Sequence, residues 1–240
     1  RLMALAVATY NVHRCVGADG RRDPDRVLAV LRELDADVVA LQELEWRPAA
    51  ALDLLEDFAR QLGCAGVAGP TLLAQTGHYG NAILTRLPVR AANRVDLSVP
   101  GREPRGALDL RLGTPHGDLR VVATHLGLAP GERRAQIRRI LGLLAPVRPE
   151  PVVLMGDLNE WFLWGRTLRW LRAHFGRVPA PATFPARRPL LALDRIWVEP
   201  RALRRTLAAH ASERARTASD HLPLRMTLAW PGEPPAPGLL

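Results

Sequence analysis

The feature that most constrains the fold of this chain is a series of short polar motifs, most of which end or follow an apolar stretch. In order they are Thr9-Tyr10-Asn11, Gln42-Glu43, Gly80-Asn81, Thr124-His125, Gly156-Asp157-Leu158-Asn159, Leu193-Asp194-Arg195-Ile196 and Ser219-Asp220-His221. Most of the apolar stretches are typical of buried strands, so one sheet edge could collect the motifs. Carboxylates, amides and two histidines that converge there are the groups that a divalent metal ion and a phosphate ester require.

The first part of the chain alternates between strand and helix patterns. Residues 5–9 and 38–44 predict strands, and Asp23-Pro24 predicts the start of a helix between them. A second helix is predicted from Pro48 to residue 62, where Gly63 ends it. Such short alternation indicates a layered α/β fold.

The rest of the chain is richer in strands. A hairpin loop is predicted at 113–117, and helices are predicted over 135–144 and about 161–174. Strands are predicted at 82–84, 89–97, 107–112, 119–126 and 151–155, and near 194–198, 202–209 and 222–229.

Length and composition favour one catalytic domain over 1–230 and a disordered Pro/Gly tail over 231–240. No apolar run approaches the roughly 20 residues of a membrane span. Cys15 and Cys64 are too few for a disulfide framework and wrongly spaced for a zinc site. We therefore expect a monomer in the cytoplasm, although the chain begins with Arg1, which leaves a removed leader open.

The charge balance points only weakly to nucleic acid. The net charge is +9, but all 33 basic residues are arginine and none is lysine. With so much alanine, glycine and proline, this pattern indicates GC-rich codon usage rather than selection at one site. The absence of lysine excludes a Schiff base and a phosphate-loop lysine.

Two motifs place carboxylates at strand ends. Glu43 follows an apolar strand, and a charge there needs a partner; a metal ion is the favoured partner and an arginine is the alternative. Asp157 and Asn159 are two residues apart, so extended geometry would direct both side chains to one side. Asp157 could orient or deprotonate water while Asn159 donates to a phosphoryl oxygen.

The last motif contains two titratable neighbours, Asp220 and His221. Neighbours on a strand face opposite ways, so His221 needs another carboxylate to fix its tautomer. Asp194 is the candidate. We therefore predict an Asp194–His221 pair, with Asp220 directed elsewhere.

Together the motifs resemble the endonuclease/exonuclease/phosphatase superfamily of metal-dependent phosphoesterases, over residues 7–229. The resemblance implies a four-layered α/β/β/α sandwich of two packed mixed sheets with outer helices. It also implies Mg²⁺ as cofactor, with Mn²⁺ as a substitute. The residues that it implies are metal ligands at Glu43, Asn11 and Asp220, phosphate binding by His125, and substrate contacts from Asn81 and Arg105.

An aromatic segment follows the catalytic motif and includes Trp161, Phe162 and Trp164. Read as a helix, it has more apolar surface than one buried stripe can hold. Core packing is one interpretation. The other is a substrate wall, with Trp161 as its first residue, that stacks on a base or accepts a lipid tail.

The sequence thus predicts a magnesium-dependent hydrolase that attacks a phosphodiester directly with water. A nuclease and a phospholipid or sphingolipid phosphodiesterase are the two substrate alternatives, with nucleic acid or a lipid head group as the partner. His125 in Thr-His-Leu resembles the deoxyribonuclease and sphingomyelinase members, whereas His13 and Glu160 depart from the AP-endonuclease pattern. A third alternative is an inactive binding module with the same fold.

Overall fold

The protein is described by a computed structural model that covers residues 4–46, 53–74, 77–145 and 149–230. The strands are Leu5–Asn11 (β1), Val38–Trp46 (β2), Ala65–Ala74 (β3), Gly77–Thr85 (β4), Val89–Asp96 (β5), Gly106–Thr114 (β6), Gly117–His125 (β7), Val152–Asp157 (β8), Asp194–Glu199 (β9), Arg204–Ala209 (β10) and Leu224–Leu228 (β11). The α-helices are Pro24–Leu34 (α1), Leu54–Leu62 (α2), Pro130–Leu144 (α3), Arg166–Phe175 (α4) and Ala215–Ala218 (α5).

The strands form two mixed sheets. The first has the order β10-β11-β1-β2-β4-β3 and the second has the order β5-β6-β7-β8-β9. In each sheet one parallel pair, β1 with β2 and β7 with β8, is joined through a crossover helix, α1 or α3. All other pairings are antiparallel.

Three apolar layers show how the sheets and helices stack. Because strand side chains alternate between faces, Val7 and Ile83 of the first sheet pack against Val121 and Met155 of the second. The opposite face of the first sheet packs against α1, α2 and α5, and the opposite face of the second packs against α3 and α4. The expected four-layered α/β/β/α sandwich is therefore confirmed.

Local chemistry sets several element boundaries. The Asp23 carboxylate accepts a hydrogen bond from Arg26 N and begins α1, with Pro24 in the first turn. Asp53 caps α2 in the same way, and Gly63 ends that helix with a left-handed φ of 63°. The hairpin between β6 and β7 turns over Thr114 to Gly117, as predicted.

Several predicted elements were misplaced. Strand β3 was missed because Gly66, Gly69 and Pro70 weaken its pattern, yet it is an edge strand, where proline is tolerated. Helix α2 begins at Leu54, and the predicted start at Pro48 lies outside the described residues, as does the 231–240 tail. Helix α3 begins earlier than predicted, and the short helix α5 was not predicted.

The largest error concerns α4, which begins at Arg166 rather than at 161. Residues 161–164 form a loop because Glu160 holds them: its Oε1 accepts from Phe162 N at 3.2 Å. Glu160 is itself fixed by a buried ion pair with Arg133 of α3. The spacing of apolar residues in the sequence cannot predict this tertiary contact.

No helix within the described segments has the length and apolar character needed to cross a membrane.

Candidate active site

Asp157 lies at the centre of the polar cluster. Strand register places His125 of β7, Asp157 of β8 and Asp194 of β9 side by side at one sheet edge. Asn11 Nδ2 donates to Asp157 Oδ2 at 3.0 Å, which links the two sheets. His125 Nε2 and His221 Nε2 lie 3.6 and 3.7 Å from the same oxygen. The Asp157 carboxylate therefore faces both histidines.

A glycine makes this register achievable. Gly156 pairs with Thr124 and has a φ of +148°, which L side chains rarely adopt. A Cβ at Gly156 would lie 1.8 Å from the Thr124 carbonyl oxygen. The glycine of the Gly-Asp motif thus allows β7 and β8 to approach at the position that sets His125 beside Asp157.

The predicted pairing of His221 is present. Its Nδ1 lies 2.8 Å from Asp194 Oδ2, and both side chains are buried. Thr183 Oγ1 donates to the same carboxylate oxygen at 2.6 Å. The ring of Phe184 packs on His221 with its centroid 4.9 Å away. These contacts fix the imidazole so that Nε2 is directed at Asp157.

The two histidines differ in charge. Burial lowers the pKa of His221, but Asp194, Asp157 and Asp220 outweigh it and raise that pKa to about 10. Burial dominates at His125, and the charges of Arg105 and His221 add to it, so its pKa falls to about 3 despite Asp157. At neutral pH His221 is therefore a cation and His125 is neutral.

Arg105 decides the tautomer of His125. Its Nη1 lies 2.9 Å from His125 Nδ1, and a guanidinium can only donate, so Nδ1 must accept. The His125 proton then resides on Nε2, which faces Asp157 Oδ2. Asn159 Nδ2 lies 3.1 Å from that nitrogen, but it is itself a donor and does not hydrogen-bond to the Nε2–H group. Arg105 itself is buried and paired with Glu103.

Asn159 reaches the site by a different route from the one predicted. Strand β8 ends at Asp157, and Asn159 has a left-handed φ of 50°, which asparagine tolerates. Its N–H donates to Asp157 Oδ1 at 2.8 Å, and its Nδ2 donates to Leu126 O. A turn, rather than extended geometry, therefore brings Asn159 beside His125.

Glu43 emerges from a bulge in β2. The register against β4 shifts between Leu41 and Leu44, and Glu43 has a left-handed φ of 56°. Such strain in a strand residue is typical of functional sites. Among its described contacts, Glu43 accepts from Asn11 Nδ2 at 3.2 Å and lies 4.0 Å from His125. No arginine pairs with it in the described part of the chain.

Asp220 lies on the Asn11 side of the cluster. The neighbouring Ser219 hydroxyl donates to Asn11 O at 2.8 Å, which holds this segment against β1. Asp220 Oδ1 lies 3.6 Å from His13 Nδ1 and, unlike Asp194, is partly exposed. Asp220 and His221 are directed apart, as expected, but both lie in a bend before β11 rather than on a strand, so strand alternation is not the cause.

The donor set fits a hard divalent cation. Glu43 offers a carboxylate oxygen beside the Asn11 amide, and it has no guanidinium partner among the described residues. Asp220 follows Ser219, whose hydroxyl donates to the Asn11 carbonyl, so a second carboxylate lies on the same side. Mg²⁺ and Mn²⁺ favour such oxygen ligands. Asp157, Asp194 and His221 also have ligand atoms within 4.8 Å of one another. The 2.8 Å hydrogen bond between Asp194 and His221 already engages two members of that trio, so the trio fits a metal ion less well than the side around Glu43 does.

Two of the three predicted substrate residues do not reach outward. Asn81 is buried and donates to Gly106 O at 3.0 Å, which ties β4 to β6 across the two sheets. Arg105 is also buried, and its guanidinium donates to His125 Nδ1. Trp161 is exposed on the loop after Asn159, and Phe162 and Trp164 are exposed beside it.

Sequence reasoning missed three contributors. Thr183 and Phe184 contact the Asp194–His221 pair, yet their Pro/Ala-rich segment has no periodic pattern that would identify them. The Arg133–Glu160 pair was also missed, although its two members, nearly fully buried, flank the aromatic loop. A Glu directly after Asn159 was the only available signal for it.

The chain is similar in sequence to known proteins. A family model described as the Endonuclease/Exonuclease/phosphatase family matches residues 8–221. The chain is 33% identical to the uncharacterized protein YbhP of Escherichia coli K12 over an alignment 253 positions long, which covers 91% of this chain and 93% of that protein.

Solved structures share the fold. An endonuclease/exonuclease/phosphatase from Beutenbergia cavernae has a TM-score of 0.75 at 24% identity, covering 98% of this chain and 73% of the other. A Bacteroides thetaiotaomicron mannosyl-6-phosphatase has a TM-score of 0.70 at 17% identity, covering 94% and 100%. The matched motifs, the shared architecture and the family model lead to one conclusion: this chain belongs to the endonuclease/exonuclease/phosphatase family.

Proposed function

We propose that the protein is a magnesium-dependent phosphodiesterase in which water attacks phosphorus directly. One observation carries this proposal. The Asp157 carboxylate lies between Asn11, on the side of the candidate metal ligands, and the paired His221. A phosphate bound there would contact both a cation and an acid–base group.

Each residue then has a distinct role. Glu43, Asn11 and Asp220 would hold Mg²⁺, or Mn²⁺ in its place, which when bound neutralises charge on the phosphoryl oxygens. Asn159 and the neutral His125 donate hydrogen bonds to the phosphate. Asp194 orients His221, so that its imidazolium stabilises the charge that develops during attack.

Asp157 orients the attacking water. Its Oδ2 faces the centre, and its Oδ1 is occupied by Asn159 N. The proton of the water passes to Asp157, because His221 is already an imidazolium, and His221 can protonate the leaving oxygen as its bond to phosphorus breaks. Substitution of either group should therefore slow the chemical step rather than weaken metal binding.

The exposed aromatic loop beside the site favours a lipid diester as the substrate. The second candidate is a nucleic acid, which the net charge of +9 favours. Both are diesters, and the same chemistry serves either.

A substrate panel tests the proposal. Bis-p-nitrophenyl phosphate, p-nitrophenyl phosphate, plasmid DNA, abasic DNA and phospholipids would be incubated with and without Mg²⁺. We expect Mg²⁺-dependent hydrolysis that is faster with the diester than with the monoester. The Glu43→Gln variant should lose this activity. Hydrolysis that persists in excess chelator, with metal loss confirmed, would contradict the metal requirement. Absence of hydrolysis on the whole panel would favour an inactive binding module.

A further inference from the structure

Exposed apolar side chains cluster on three loops around the candidate site. We call this set the apolar rim: Leu128, Trp161, Phe162, Leu163, Trp164 and Leu190. Three of its members are 64% (Leu128), 74% (Trp164) and 80% (Leu190) exposed. Away from these loops, the exposed large apolar side chains among the described residues are Leu72 and Val89. The distribution is therefore concentrated at one edge of the second sheet.

The loops leave the sheet at the same place. Leu128 follows β7 just after His125, and the 161–164 loop follows β8 just after Asn159. Leu190 lies in the segment that leads into β9 and Asp194. Because His125, Asp157 and Asp194 are register partners, the three loops surround the same catalytic residues.

The first two loops are fastened together by Arg133. Its guanidinium pairs with Glu160, contacts the Leu128 carbonyl and lies over the Trp161 ring at 5.2 Å. Trp161 packs against Phe162, and Phe162 packs against Trp164. The buried Arg133–Glu160 pair thus fixes the backbone of the loop on which the three exposed rings lie.

The third loop borders the opposite side of the site. Phe184 packs on His221, and Ala186 N donates to Asp220 O. Leu190 and Leu191 follow directly on this anchored segment. The rim therefore flanks the site from both the Asn159 side and the His221 side.

The charges on these loops have one sign. The acidic side chains there, Glu132 and Glu160, are buried. The arginines exposed beside the rim are Arg166, Arg169, Arg187 and Arg188. A surface with outward tryptophans, leucines and arginines, and with its carboxylates hidden, complements a layer that is apolar inside and anionic outside.

We propose that the apolar rim docks the protein on the anionic surface of a phospholipid bilayer and so presents the site to diesters of lipid head groups. The choice of substrate rests on the proposed phosphodiesterase function, whereas the docking does not. Nucleic acid is disfavoured because leucines offer bases no stacking platform, and the rim carries three of them.

The test is co-sedimentation of the protein with phosphatidylcholine vesicles made with and without phosphatidylglycerol. Leu163→Ser/Trp164→Ala removes rim surface, and Arg187→Gln/Arg188→Gln removes charge. Val89→Ala is the matched control, because Val89 is exposed at the opposite end of the same sheet. We expect each rim or charge variant to weaken binding to anionic vesicles by on the order of tenfold or more. The control should bind like the wild type.

Hydrolysis of bis-p-nitrophenyl phosphate separates docking from chemistry. This soluble diester should be hydrolysed equally by the wild type and all three variants. Suppose that the rim variants lose vesicle binding and that the wild type hydrolyses no diester. This result would support the docking surface and contradict the proposed function. A wild type that hydrolyses the diester but ignores both vesicles would overturn the docking alone. Rim-dependent binding to single-stranded DNA in preference to vesicles would also overturn it.

Discussion

His221 Nδ1 lies 2.8 Å from Asp194 Oδ2, a contact between residues 27 positions apart that leaves Nε2 facing Asp157. We expect the pair to act as a unit, because the carboxylate fixes the tautomer of the ring and stabilises its positive charge. Thr183 donates to the same oxygen and limits its rotation.

We predict that His221→Ala and Asp194→Asn each lower turnover by on the order of 10²–10⁴-fold. Because the groups act together, the double variant should lose little more than His221→Ala alone. Steady-state kinetics on bis-p-nitrophenyl phosphate would measure this. His210→Ala, which removes a histidine paired with Glu33 far along the chain, is the control. Fully additive losses would show that Asp194 works elsewhere.

The glycine of the catalytic motif offers a second prediction. Gly156→Ala would place a Cβ 1.8 Å from Thr124 O, and its φ of +148° is strained for alanine. We expect β8 to shift against β7, so that activity falls by on the order of 10²-fold or the fold is lost. Gly142→Ala is the matched control, because a Cβ there meets open space in α3. It should stabilise the protein by about 0.5–1 kcal/mol.

Metal binding can be measured without catalysis. We predict that Mg²⁺ raises the melting temperature of the wild type, since a ligand that binds the native state stabilises it. Glu43→Gln should abolish most of that rise. Glu45→Gln is the control, because Glu45 lies two residues further along β2 and pairs with Arg14 instead. An equal rise in the wild type and in Glu43→Gln would place the metal on other residues.

A stability prediction concerns Glu33, which joins α1 to the segment before β11. Burial raises the Glu33 pKa, but hydrogen bonds from Ser212, His210 and Arg214 outweigh it and lower that pKa. The ionised Glu33 carboxylate therefore contributes all of its stabilisation of the folded protein above its unfolded-state pKa of about 4.3. That contribution is lost as the pH falls through the lower pKa that Glu33 has in the folded state.

Glu33→Gln should accordingly destabilise the protein at pH 7 by on the order of 1 kcal/mol. The gap to the wild type should narrow on acidification below about pH 4. Urea unfolding at several pH values would measure both. Glu213→Gln removes the same charge from an exposed side chain nearby and reports the bulk charge effect. A gap that stays constant with pH would show that the Glu33 contacts are not electrostatic.

The sequence by itself determined the family, the layered fold and the identity of the polar cluster. Strand ends carry sequence-local signals, because an apolar run followed by a polar motif is visible without knowledge of any partner. The pairing of His221 with Asp194 was also predicted, from the expectation that Asp220 and His221 face opposite ways as strand neighbours. In the structure both residues precede β11, yet their side chains are still directed apart. These inferences need only backbone periodicity and the chemical needs of the side chains.

Tertiary structure alone decided where the side chains are directed. Asn81 donates to Gly106 because the facing strand β6 supplies the carbonyl, and Arg105, in the loop before β6, contacts His125 at the end of β7. The aromatic segment stayed out of α4 because Glu160 is held by Arg133, 27 residues earlier. Likewise, a bulge directs Glu43, and a left-handed turn directs Asn159. These side-chain orientations depend on contacts between residues distant in sequence, so the local sequence pattern cannot predict them.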